Sequence, residues 1–176
     1  MSTLAFTSPV PLGPDHGTGD FDCGSEAQSE WLRRYALQAQ GVGTSRVYVT
    51  TLAGSNHVVG YYALAAGAVE PEAGSERLRK GVGRYPIPVV ILTRLGVDQS
   101  VQGQGLGSSL VIDALERVVQ AADVIGVRAL LIHCESEAAR RFYLHLARFE
   151  ESPTDRLHLT LLMGDLRAAL GALGAP

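Results

Sequence analysis

Two rhythms of apolar and polar residues run along the chain, and the switch between them marks its centre. Val89 to Val97 is a nearly continuous run of β-branched and aliphatic residues, long enough for a buried strand. Asp98 to Gly103 is polar and turn-like. Leu106, Leu110, Ala114 and Leu115 then recur at helical spacing. A strand is therefore predicted to pass through a glycine-rich turn into a helix. Upstream, Leu4 to Phe6 reads as a short first strand, followed by an irregular Pro/Gly loop. Ser25-x-x-Gln28 reads as a capping box opening a helix with Trp31, Leu32, Tyr35, Ala36 and Ala39 on one face, ended by Gly41 and Gly43. Arg46 to Leu52 and His57 to Ala66 form a predicted hairpin about Ala53-Gly54-Ser55-Asn56.

Glu70 to Pro86 reads as a long connection into the central strand. Downstream, Arg128 to Cys134 is a second buried strand. Strand, helix and strand at this spacing make a βαβ unit with parallel strands. Ser136 caps the next helix, whose core face is predicted to carry Ala138, Phe142, His145 or Leu146, and Phe149, with Tyr143 at the edge. Leu157 to Met163 is a last strand and Asp165 to Leu170 a last short helix. The order implies a mixed α/β (α+β) fold, one central sheet with helices on both faces.

Composition adds limits. With 176 residues, 1–176 is most simply one domain, and 46% hydrophobic content is ordinary for a globule. No apolar run is long enough to span a bilayer, and no signal peptide is evident. Two cysteines, Cys23 and Cys134, make no disulfide framework, which suits a reducing, cytoplasmic setting. A formal net charge of −3 argues against blanket nucleic-acid affinity but leaves room for a local basic patch.

First-turn amides of a helix lack intrahelical partners and attract phosphate oxygens. Three phosphate-binding patterns compete at this turn. A Walker loop needs Gly-Lys-Ser/Thr, and Gly107-Ser108-Ser109 has no lysine. A dinucleotide fingerprint needs glycine or alanine where Ser108 stands, so the fit is poor. Gln102-x-x-Gly105-x-Gly107 instead resembles the Gln/Arg-x-x-Gly-x-Gly/Ala pyrophosphate loop of GNAT acetyltransferases. A glycine-rich turn that binds nothing is the plain alternative.

The likeness extends beyond the loop. Phe21-Asp22-Cys23-Gly24, Gly60-Tyr61-Tyr62, Pro86-Ile87-Pro88, Thr93-Arg94-Leu95-Gly96-Val97-Asp98 and Ala138-Ala139-Arg140-Arg141-Phe142-Tyr143 resemble Tac-type GNAT toxins over roughly residues 15 to 170. That resemblance implies acetyl-CoA as cosubstrate, the α-amine of aminoacyl-tRNA as acceptor, a ribbon-helix-helix antitoxin and a homodimer. It implies that Leu95, Gly96 and Val97 pair with pantetheine, and that the backbone of Gln102, Gly103, Gln104, Gly105, Leu106, Gly107 and Ser108 holds the pyrophosphate. It makes Tyr143 the general acid. Two departures stand out: Gly96 where alanine is usual, and Arg148-Phe149 where glycine-phenylalanine is usual.

On residue pattern alone, Tyr143 reads first as an amphipathic packing residue and only second as a catalytic one. No catalytic base is obvious. Glu135 is the best carboxylate candidate, though it reads more simply as a solvated one. An α-amine, with a pKa of about 7.7–8.0, needs less help than a lysine near 10.4. His133 and Glu135 share a strand face, but two ligands do not make a zinc site, so no metal is expected. Cys134 ends an apolar run and reads as a small hydrophobe. Arg33, Arg77, Arg79, Lys80, Arg84 and Arg94, with Arg34, form a candidate tRNA-facing rim, with a solvated loop as the equal alternative. Acetylation of a small amine or protein N-terminus, and a silent CoA-binding module, remain alternatives.

Overall fold

Ser25 opens the first helix as its sequence suggests. Its hydroxyl accepts from the Gln28 amide at 3.3 Å, capping α1 (Glu26–Glu30). The helical path continues through a π-turn at Trp31–Tyr35 into α2 (Ala36–Val42), and Gly43 closes it in the left-handed conformation with φ of 84°. The π-turn inserts a residue and rotates the face that follows. Leu32 and Ala36 are buried as expected, but Tyr35 is turned out to 51% exposure.

In this computed structural model the described residues are 3–173, so residues 174–176 of the Ala/Gly-rich tail lie outside them. The first strand, β1, is Val10–Pro11. The expected Leu4–Phe6 strand reduces to an isolated bridge of Phe6 to Leu52. The hairpin forms as β2 (Arg46–Thr51) and β3 (Val58–Val69), paired antiparallel. The connection read as irregular holds a 3-10 turn (Pro71–Ala73) and a one-turn helix α3 (Glu76–Arg79), capped by Ser75. Then come β4 (Ile87–Val97), α4 (Leu106–Ala122), β5 (Ala129–His133), α5 (Glu137–Leu146), β6 (Glu150–Glu151), β7 (His158–Leu162) and α6 (Met163–Ala172). The seven strands form a mixed sheet in the order β1-β2-β3-β4-β5-β7-β6. β4 and β5 are parallel, as the βαβ pattern predicts.

The chain divides into two compact units, residues 1–65 with 93–113 and residues 66–92 with 114–176. The core of the first joins Phe21, Leu32, Val47, Val49 and Tyr61. The core of the second joins Val69, Leu78, Ile87, Val89, Leu131 and Leu162. In the second unit, Arg77 of α3 binds Glu150 at 2.6 Å and Asp165 at 2.8 Å. The Arg77 hydrogen bond holds the Asp165 carboxyl below its ordinary range, against the smaller opposing effect of burial. Arg128 donates to the carbonyls of Arg77, Leu78 and Lys80, which caps the short helix at its carboxyl end.

Candidate active site

The turn after β4 is held from three sides. Asp98 accepts from the Asp22 amide at 2.9 Å, the Ser100 amide at 3.0 Å and the Ser100 hydroxyl at 2.6 Å. Burial alone would raise the Asp98 pKa, but the Ser100 and backbone hydrogen bonds outweigh it and hold the carboxyl below its ordinary value. Gln102 Nε2 donates to the carbonyls of Val97 at 2.9 Å and Cys23 at 3.0 Å, tying the loop to the end of β4. Val101 and Leu106 are buried and pin it from within.

Gly103 and Gly105 have φ of 80° and 83°, a region that side chains disfavour. A Cβ on either would meet nothing within 4 Å. These glycines are therefore needed for the path of the chain, and their backbone is open on the outside. The first bond of α4 runs from the Ser109 amide to the Gly105 carbonyl at 3.1 Å. The amides of Leu106, Gly107 and Ser108 precede it, at the positive end of a 17-residue helix. The residues present fit a bound pyrophosphate.

The parallel ladder between β4 and β5 covers Val89–Leu92 against Ala129–Ile132, while β4 runs on to Val97. Leu95, Gly96 and Val97 thus lie past the paired length, with the Val97 carbonyl used by Gln102. At Gly96 a Cβ would lie 3.0 Å from the Tyr61 ring and 3.3 Å from both Cys23 and Phe21. This crowding accounts for glycine at this position.

On α5, Ser136 caps as expected, accepting from the Ala139 amide. The helix phase differs from the expectation by one residue. Tyr143 is the buried member, 6% exposed, while Phe142 is half-buried and Ala138 exposed. Adjacent aromatics leave the hydrophobic pattern ambiguous by one step, and Tyr143 meets Phe149 edge-on, ring centroids 5.9 Å apart. Burial, with Cys134 and Glu135 nearby, pushes the Tyr143 phenol well above its ordinary value, so it stays protonated. Burial likewise pushes the Cys134 thiol up to about 11, and a protonated thiol is a poor nucleophile.

The basic candidates are spread over different settings. Arg33 donates to the Phe21 carbonyl at 2.7 Å and to Glu26 at 2.8 Å. Arg94 lies over the Trp31 ring, 5.3 Å from its centroid. Arg77 is held by two carboxylates, while Arg79 and Lys80 line a surface hollow beside it. Arg84 belongs to the same loop, two residues before Pro86. Asp98 as the keystone of the turn was missed from sequence, although Asp just before a polar turn is a capping signal.

The acetyltransferase (GNAT) family profile matches residues 20–147. The chain belongs to the GNAT acetyltransferase family. It is an N-acetyltransferase whose cosubstrate is acetyl-CoA, and no helix among the described residues is long and apolar enough to cross a membrane. A relative described as a "tRNA-acetylating toxin" from Mycobacterium tuberculosis (strain H37Rv) is 45% identical over 166 residues, covering 94% of this chain and 98% of the relative. The solved structure of AtaT complexed with acetyl-methionyl-tRNAfMet is 27% identical, with a TM-score of 0.83 and coverage of 94% and 98%. A tyrosine-to-phenylalanine mutant of AtaT, bound to the C-terminus of the antitoxin AtaR and acetyl-CoA, is 25% identical with a TM-score of 0.77, covering 97% and 99%.

Proposed function

We propose that this GNAT acetyltransferase is the toxin of a toxin–antitoxin pair and acetylates the α-amine of aminoacyl-tRNA, which blocks translation. The observation that carries the reading is the 45% identity, over nearly the whole of both chains, to a relative described as a tRNA-acetylating toxin. A ribbon-helix-helix antitoxin neutralises it; the AtaT neighbour bound to an antitoxin C-terminus supports an antitoxin as partner. The active form is a homodimer in the cytoplasm, and residues 1–176 act as one catalytic domain. The family match runs through both compact units, which supports the single domain.

Acetyl-CoA brings the acetyl group as a thioester. The loop and first-turn amides from Gln102 to Ser108 take its pyrophosphate, and the backbone of Leu95, Gly96 and Val97 takes its pantetheine arm. As the new N–C bond forms and the C–S bond breaks, Tyr143 donates to the departing sulfur. The proton shed by the amine ends on the thiol. A phenol kept protonated by burial suits hydrogen-bond donation to that sulfur. Cys134, also kept protonated, suits direct transfer without an acyl-enzyme. Arg33, Arg77, Arg79, Lys80, Arg84 and Arg94 are the candidate contacts to tRNA.

Charged tRNA and acetyl-CoA are incubated with the protein, and the nuclease-released aminoacyl-adenosine is weighed by mass spectrometry. A gain of one acetyl group is expected. Tyr143→Phe should lower kcat by about 100-fold or more with the KM for acetyl-CoA unchanged. Unmodified product from every charged tRNA, with acetyl-CoA demonstrably bound, sinks the substrate assignment. Full activity in Tyr143→Phe sinks the role of the phenol.

A further inference from the structure

Thr160 is 2% exposed, and its hydroxyl has no hydrogen-bond partner among the described residues. Leaving such a group unpaired is costly, so a polar partner belongs beside it. Thr160 lines a cavity of about 160 Å³ in the second unit. Ala68, Val69, Ala73 and Leu131 give it apolar walls. Ser152 also lines it, but its hydroxyl donates to the Ala73 carbonyl at 2.8 Å.

Glu70 also lines it, and His133 and His158 complete the lining. They are cross-strand partners whose rings stack with centroids 3.9 Å apart and planes 19° apart. Burial, then the neighbouring His158, hold the His133 pKa below its ordinary value, so its ring is neutral at neutral pH. An ordered water would satisfy the Thr160 hydroxyl, but it would use neither the apolar walls nor the paired rings. A flat, apolar-faced ligand with hydrogen-bonding edges uses all three. An unstacked nucleobase is such a ligand, and histidine is one of the side chains on which such bases stack.

Position favours a base close to the reacting end. Along β5, Leu131 and His133 share one face while Ile132 and Cys134 share the other. Tyr143 lies near Cys134 and Glu135. The cavity and the phenol therefore both lie near the carboxyl end of β5. We propose that this cavity receives the terminal adenine of charged tRNA, stacked on the outer face of the His133–His158 pair with its edge hydrogen-bonded to Thr160. The inference rests on the aminoacyl-tRNA reading above. It assigns a foothold common to all charged tRNAs, since each ends in adenosine whichever amino acid it bears.

Adenine is also part of acetyl-CoA, so the test separates the two sources. Thr160→Val removes the hydroxyl at nearly constant shape, and His133→Ala removes half of the ring pair. Each should raise the KM for charged tRNA by about five- to tenfold and leave the KM for acetyl-CoA unchanged. With an amino acid ethyl ester as acceptor, which carries the amine but no nucleotide, wild type and variants should match. An unchanged KM for charged tRNA in both variants overturns the inference and leaves the substrate reading standing. A rise confined to acetyl-CoA overturns it too, giving the cavity to the cosubstrate. If no charged tRNA is acetylated, the substrate reading fails first and takes the inference with it.

Discussion

At Gly96 the backbone of β4 passes against an aromatic wall that has little room to yield. The Tyr61 hydroxyl donates to the Gln28 carbonyl at 2.7 Å, and its ring meets Trp31 stacked and Phe21 edge-on. An added methyl would sit 3.0 Å from that ring. Overpacking of this kind costs about 1–3 kcal/mol, whereas alanine gains only about 0.5–1 kcal/mol over glycine inside a strand. Gly96→Ala should therefore lower stability by about 1 kcal/mol, read as an earlier denaturant midpoint at unchanged slope. Because Val97 follows directly and anchors Gln102, the KM for acetyl-CoA should rise as well. A midpoint at or above wild type would mean that the wall gives way and that crowding does not explain this glycine.

Among the elements, the turn from β4 to α4 depends on a carboxylate. Asp98→Ala removes three accepted hydrogen bonds, including the cap of the 3-10 turn Gln99–Val101. Losing a cap costs about 1 kcal/mol, so the KM for acetyl-CoA should rise about fivefold if the loop must be rebuilt on binding. The pH dependence has a definite sign. Asp98 has a folded-state pKa below its ordinary 3.8, so its stabilisation is fully present above that value. It is lost as pH falls from about 4 through the lower folded value. Acid unfolding should accordingly be shallower in Asp98→Ala, and identical acid limbs would remove Asp98 from the turn's support.

Much of this element was readable in advance, because a nine-residue stretch rich in aliphatic residues, a polar turn and helical periodicity are local signals. The parallel partner β5 was legible for the same reason. The π-turn at Trp31–Tyr35, the phase of α5 and the two-residue strand β6 were not. Each is decided by packing between distant segments: a one-residue insertion that turns Tyr35 outward, a choice between adjacent aromatics, and a pairing of Glu150 with Thr160 too short to leave a pattern. The Thr160 cavity was invisible because it joins β3, β5, β7 and two loops.

For the molecule as a whole, a net charge of −3 has to be reconciled with a polyanionic substrate. Ion pairs provide part of the answer, because they occupy Arg33, Arg34, Arg77, Arg140, Arg156 and Arg167 internally. Arg79, Lys80 and Arg84 enter no ion pair among the described residues, so their charge is available to phosphates. If these three make the contacts, the affinity for charged tRNA should fall with a log–log salt slope of about −2.7. That is about a 40-fold loss between 50 and 200 mM salt, against 10³-fold or more for the whole six-residue rim. Binding is measured without acetyl-CoA, so that no turnover intervenes. Arg79→Gln should flatten the slope by about one, whereas Arg77→Gln should leave the slope unchanged and lower the melting temperature, because it unties Glu150 and Asp165. A slope near −5 or steeper, or a flatter slope in Arg77→Gln, would instead put the paired arginines on the tRNA. The internal pairs would then have to open on binding, at the expense of the contacts that tie α3 to β6 and α6.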